Sequence, residues 1–204
     1  MKIFTSCFAI IFAMLFASAA EAQQTINGCL IKRRASCPGA NLSGTDLTKS
    51  NLSNSDLSGA NLSGSNLSAD RITEANLTNA NLSGANLAGT ILSVSYMSNA
   101  NLSRANLDKA DLSQTTLPDA NLREANLAGA NLSMANLKGA NLTGANAKGA
   151  IFIMANMANA NLTRADLTEA TLVGADLRNA ILEGAKFCKT TMPDRSVNNS
   201  GCPK

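Results

Sequence analysis

The sequence contains no histidine, so its carboxylates and cysteines are the first side chains to weigh for chemistry. The commonest general acid/base and metal ligand is therefore missing. Asp46, Asp56, Asp111, Asp166 and Asp176 stand at separations that are multiples of five. Paired carboxylates hydrolyse glycosidic bonds when two of them face each other across a cleft. A spacing locked to five instead puts each at an equivalent point of a repeating element. No phosphate-binding glycine motif, calcium-loop signature or nucleophile elbow is present. These residues predict no catalytic site, no metal and no cofactor, and the chain is expected not to be an enzyme.

The element that carries them is legible in "ANLAGANLSMANLKGANLTGAN", Ala125 to Asn146, where a small residue, an Asn and a Leu recur every five residues, with one Leu lost at the end. A helix advances about 100° per residue, so leucines five apart drift around it. In a flat strand an odd spacing sends successive leucines to opposite faces. Neither regular element buries them all. A chain that turns a corner once per repeat does, returning every Leu to one interior. With no Trp, one Tyr and six Phe among 204 residues, that interior must be aliphatic.

With the central apolar position called i, the frame runs unbroken from Leu42 to Phe187, thirty repeats of which twenty-four carry Leu. The exceptions are Ile72, Met97, Ala147, Phe152, Met157 and Phe187. Position i−2 is Ala, Ser or Thr, with Asp70 the single larger residue. Asn dominates i−1, which strand-like alternation turns outward. Ser, Thr and Gly at i+1 and i+2 suit the corner. Units such as "ANLSG" resemble the pentapeptide-repeat family, whose motif reads A(D/N)LXX, over Ala40 to about Lys189. The resemblance implies an all-β fold, a right-handed quadrilateral parallel β-helix with four repeats per coil and about seven and a half coils. At about 4.8 Å per coil the rod is on the order of 35 Å long. Residues twenty apart then stack. Asp70 would lie between Ser50 and Thr90 and be satisfied by their hydroxyls, and the volume lost at Ala147 would be refilled by Phe152 and Met157.

The ends differ in composition. "MKIFTSCFAIIFAMLFASAAEA" has Lys2, an apolar run from Ile3 to Phe16 and Ala20-Glu21-Ala22, the layout of a signal peptide over residues 1–22. Cys7 lies too early in that run for lipid attachment. Four cysteines follow, Cys29, Cys37, Cys188 and Cys202. If a rod separates the two pairs, end-to-end bridges are excluded because bridged Cα atoms lie within about 7 Å. Cys29–Cys37 and Cys188–Cys202 are the pairing that follows, and a four-thiolate zinc site fails on the same geometry. Residues 23–39 and 188–204 are expected to be disulfide caps on the β-helix of residues 40–187, covering strand edges and leucines at each end.

Function then lies on outward positions. The side that begins with Leu42, here side one, carries Asn41, Asn61, Asn81, Asn101, Asn121, Asn141 and Asn161. They form either an amide ladder or a flat polar surface for a polysaccharide or ice lattice. Side three departs most from the motif, with Ile91, Val94, Met134, Ile151, Ile153, Met154 and Val173, and Tyr96 begins side four. Their concentration suggests a contact face for a protein partner or a second copy. Lys32, Arg33 and Arg34 form a basic loop tip within the first disulfide loop.

Some members of the family resemble acidic duplex DNA and protect topoisomerases. That requires a strongly negative surface, whereas Ala40 to Phe187 holds ten basic and twelve acidic residues and the whole chain is +3, which also argues against nucleic-acid binding. The many Asn-Leu-Ser and Asn-Leu-Thr triplets would be glycan acceptors in a eukaryotic secretory route. Bacterial periplasm or extracellular space is expected, with a thylakoid lumen as the other possibility. No stable membrane insertion is expected once the leader is removed. The sequence thus predicts an exported, non-catalytic structural or protein-interaction scaffold, with polymer or lattice binding and DNA mimicry as alternatives.

Overall fold

A computed structural model describes residues 24–203; the expected signal peptide, 1–22, lies outside the described residues. The five-residue frame resolves into coils of twenty residues with four sides. Each side places one outward i−1 residue in a parallel bridge with its counterpart twenty residues on, as in Asn81↔Asn101 and Asn101↔Asn121. The bonding is reciprocal. The N–H of Leu82 donates to the Asn101 carbonyl at 2.7 Å, and the N–H of Asn101 donates back to Ala80 at 2.9 Å. The corner closes when the Ala85 N–H donates to Leu82 O at 3.0 Å. Each repeat thereby satisfies the main-chain groups that folding buries.

The corner also answers the packing problem set by an odd period. Every repeat leucine from Leu42 to Leu172 is at most 1% exposed, and each such burial contributes about 1.5–3 kcal/mol. Ala147, Phe152 and Met157 are all buried, so the small residue and its two bulky neighbours share one sealed layer. Position i+2 has left-handed backbone, with φ of +64° at Gly84. Val94 and Met134 occupy the same geometry at +61° and +58°.

Asp70 is buried, and its partners differ from those expected. Ser50 Oγ donates to it at 2.6 Å, but the Thr90 hydroxyl donates to Leu67 O. The remaining donors are main-chain N–H groups of Asn51, at 2.9 Å, and Arg71, at 2.8 Å. The bridge between Asn51 and Arg71 is absent from the otherwise regular side-three series, and Asn51 has φ +48°. The carboxylate replaces the bonds that this local departure from the ladder removes.

The ends are unequal. Strands β1 (Thr25–Ile26) and β2 (Cys29–Leu30) form an antiparallel hairpin, and Cys29 is bonded to Cys37. The Asn27 side-chain amide reaches Asn41 O at 2.7 Å. Beneath it Leu42 and Leu47 are sealed. At the other end β3 (Thr190–Thr191) pairs with β4 (Val197–Asn198), and Cys188 is bonded to Cys202. The parallel register begins at Ser36 and ends at Thr191, four residues beyond the expected repeat region at each end. The C-terminal segment roofs sides two and three, where Phe187 is buried, while Leu177 and Leu182 on sides four and one stay half-exposed.

Candidate functional site

Side three holds its apolar residues where the rigid coil fixes them. Met134 and Met154 are stacked corner residues one coil apart, 59% and 63% exposed. Ile151 and Ile153 flank the buried Phe152 and are 37% and 38% exposed. Val173 continues this strip toward the C-terminal end but is only half-exposed. Gly174 seats Met154: a Cβ there would stand 2.6 Å from the Met154 sulfur. This packing of a side chain over the next coil's glycine is invisible in a five-residue motif.

Ile91, half-exposed, with exposed Val94 and Tyr96, forms a second group. A polar coil divides it from the first. Asp111, between Ile91 and Asn131 in the bridge series, accepts from the Asn131 amide at 3.2 Å and from the Ser113 N–H at 3.0 Å. The eight residues expected as one face are thus two groups, of which Met134, Ile151, Ile153, Met154 and Val173 are contiguous in the stacked frame. Among the described residues two large exposed apolar side chains lie outside that expectation: Ile181, 49% exposed at the end of the side-one Asn column, and Val197, on β4. Ile181 breaks the Asn column in the sequence itself, so the signal was there; Val197 has no repeat frame to mark it.

The asparagines of sides one and two form amide ladders. Nδ2 of Asn61, Asn81, Asn101 and Asn121 donates to Oδ1 of the Asn one coil earlier at 3.1–3.3 Å. Asn86, Asn106, Asn126 and Asn146 do the same on side two at 2.9–3.1 Å. The same Oδ1 accepts the N–H two residues on, as Asn101 does from Ser103 at 3.2 Å. Each ladder amide so spends its oxygen and one N–H on the rod and leaves one N–H to solvent. Asn141 and Asn161 continue the column without the ladder bond; Asn141 Oδ1 instead takes the Thr143 hydroxyl at 2.6 Å.

A shallow side-one depression of about 500 Å³ lies over Asn101 and Asn121, bordered by Arg104, Arg123 and Glu124. Glu124 pairs with Arg104 and Arg123, each at 2.9 Å. The Arg104 hydrogen bond, then the charges of both guanidinium groups, hold its carboxyl below the usual range. Asp176 is held down at about 2, chiefly by its hydrogen bond from Arg178. Asp46, Asp56, Asp111, Asp166 and Asp176 each use Oδ1 to accept the N–H two residues on. That is a turn-forming role, and none of them faces another across a cleft. Lys32, Arg33 and Arg34 are exposed, with Arg33 in contact with Asn54 at 3.4 Å. Among the described residues no group of His, Cys, Asp or Glu is arranged to hold a metal, and no helix is long and apolar enough to cross a membrane.

The family model for pentapeptide repeats matches this chain in eight copies, over residues 33–68, 75–114, 120–153 and 155–192. Among solved structures, a trypsin-treated variant of QnrB1, a plasmid-mediated fluoroquinolone resistance protein, is similar with TM-score 0.53 and 17% identity, over 72% of this chain and 88% of that one. HetL, a pentapeptide repeat protein involved in heterocyst differentiation regulation from the cyanobacterium Nostoc sp. strain PCC 7120, shares 29% identity over 81% of this chain and 92% of its own, with TM-score 0.36. A pentapeptide repeat protein from the Arabidopsis thaliana thylakoid lumen shares 28% identity over 63% and 69%, with TM-score 0.25. No curated protein matches the chain.

Proposed function

As the chain belongs to the pentapeptide-repeat family and folds as a right-handed quadrilateral β-helix, we propose that it is an exported, non-catalytic scaffold that holds a protein partner on side three. The observation that carries this reading is the strip of Met134, Ile151, Ile153 and Met154, exposed on a surface whose neighbours, Val173 apart, are mostly polar. The mechanism is preorganisation. The bridge ladder and sealed leucines fix the spacing of these side chains before a partner arrives, so binding costs little further ordering. Flexible, polarisable methionine tips then adapt to the partner's relief.

Two disulfides favour an oxidising compartment, and with the signal-like leader they support periplasmic, extracellular or lumenal placement. Cap 23–39 serves the scaffold by closing the N-terminal end of its rod, and cap 188–204 by covering sides two and three of the other end. Binding of a polysaccharide or ice lattice through side one is the second reading, favoured by the regular Asn column and the depression over Asn101 and Asn121. The ladder weakens it by leaving one free N–H per amide. DNA mimicry is opposed by the near-neutral repeat region and its neutral asparagines.

The test is photo-crosslinking in the exported fraction, with the probe at Met134 and, separately, at Asn121. A discrete adduct from Met134, abolished by Ile151→Ser, Ile153→Ser and Met154→Ser together, supports the scaffold. Polymer cosedimentation lost on side-one changes, with Met134 silent, supports the second reading instead.

A further inference from the structure

The side-one depression over Asn101 and Asn121 is opened by a missing side chain and walled by charge. At the corner position i+2 a side chain leans over the following coil, as Arg164 does over Gly184 and Lys109 over Gly129. Gly84 has none to lean, and a Cβ there would meet nothing within 4 Å, so the floor beside Arg104 stays open. On the far side Glu124 ties down two guanidinium groups, Arg104 through Nε and Arg123 through Nη2, each at 2.9 Å. Two arginines against one glutamate leave the cluster positive. Among the described residues neither terminal nitrogen of Arg104 has a hydrogen-bond partner, and the pair is a planar fork shaped for a carboxylate. Glu124 orients that fork beforehand, which reduces the ordering cost of binding. The amide ladder also stops here. Asn101 Oδ1 accepts from the Ser103 N–H at 3.2 Å and from Asn121 Nδ2 at 3.1 Å. Asn121 Oδ1 accepts only the Arg123 N–H, at 3.2 Å, and Asn141, bridged to it one coil on, has no acceptor for its Nδ2 among the described residues. A spare acceptor and spare donors thus lie together beside the guanidinium groups. A hydroxyl, donor and acceptor at once, is the group that uses both.

We infer that this depression binds an acidic polysaccharide through a uronate unit, whose carboxylate sits on Arg104 and Arg123 while neighbouring hydroxyls take the unpaired amide groups of Asn121 and Asn141. The inference rests on the polymer-binding reading of side one and names the polymer's chemistry; the side-three reading does not depend on it. A neutral glucan brings hydroxyls without charge, and inorganic polyphosphate brings charge without hydroxyls. The depression presents partners for both groups within two successive coils. Coils follow one another at about 4.8 Å, so a polymer lying along the rod continues from Asn141 toward Arg164, which holds the same corner two coils beyond Glu124. Exposed ion pairs contribute little to folding. Arg104 and Arg123 can therefore be replaced without disturbing the coil beneath them.

Fluorescence anisotropy of a labelled oligogalacturonate, titrated with the oxidised, purified chain, tests it, with neutral dextran and inorganic polyphosphate as labelled comparisons. The oligogalacturonate is expected to bind at least tenfold more tightly than either. Arg104→Gln with Arg123→Gln weakens that binding at least tenfold, about 1.4 kcal/mol, at unchanged melting temperature. Gly84→Met keeps every charge, uses a corner geometry that Met134 already adopts at φ +58°, and weakens binding as much by filling the depression. Met134→Ser with Met154→Ser leaves binding intact. Binding that survives the arginine pair's replacement or Gly84→Met overturns the inference, as does polyphosphate bound as tightly as the uronate. Dextran bound equally well, through side one and without the arginines, overturns it while the polymer reading stands. No binding of any of the three at about 1 mM chain overturns both.

Discussion

An outward Asn in this rod does two things that no other residue does together: its oxygen accepts a turn N–H, and its amide donates to the preceding coil. Asp performs only the first, and its carboxylate is therefore found elsewhere in the ladder logic. Asp111 receives from Asn131, and Asp176 is turned toward Arg178. Asp176 carries a pH signature. Its folded value of about 2 lies below the ordinary value near 3.9, so its stabilisation is complete above that ordinary value and is lost as pH falls toward about 2. The difference in melting temperature between the native chain and Asp176→Asn should shrink across that interval. Asp70 is the more consequential carboxylate. Asp70→Ala removes the acceptor of two part-buried main-chain donors and of the Ser50 hydroxyl and should cost about 2 kcal/mol, read from the urea midpoint. Asp70→Asn keeps one acceptor oxygen and should cost about 1 kcal/mol. The sequence made the burial of Asp70 and its Ser50 partner legible, because both follow from stacking at twenty. The Asn51 and Arg71 donors were not, because they arise where the backbone leaves the ladder.

At the scale of the repeat, five-residue periodicity was enough to predict the corners, the inward leucines and the stacking register, since no other geometry buries that pattern. The end segments have no period, and there the sequence reveals that a staple exists without revealing what it covers. Thus the C-terminal segment was expected to seal its end, and it roofs only sides two and three. The disulfide loops close 8 and 14 residues of separation, each contributing about 2–3 kcal/mol in the chain-entropy model. Reduction should therefore raise amide exchange in 24–41 and 186–202 first, with the coils around Leu102 and Leu122 unchanged; uniform protection after reduction would refute the caps' role. Within the coil, Leu102→Ala should cost about 3 kcal/mol, measured by denaturant unfolding, because the sealed layer cannot collapse around the void. The candidate face was legible as departures from the motif on side three, but its division by the Asp111 coil required the stacked frame.

The whole molecule is a rod in which position along the axis and angle around it are both set by residue number. Deletion of Asn101–Ala120, one full coil, should preserve cooperative unfolding and bring Asn121 under Asn81, with a melting temperature lowered by a few degrees, about 2–4 °C per kcal/mol lost at this size. Loss of a single repeat acts otherwise. The inward residues on all four sides are nearly interchangeable, so removing Asn161–Ala165 leaves a core that still packs. Everything after the cut, however, is indexed by a quarter turn: the half-roofed C-terminal end swings ninety degrees relative to Met134 and Met154. The chain is in this sense a dial with four settings. Gain or loss of one five-codon unit changes which direction the proposed side-three contact face points relative to the C-terminal end while hardly touching stability, so the geometry between them can be inherited as a repeat count.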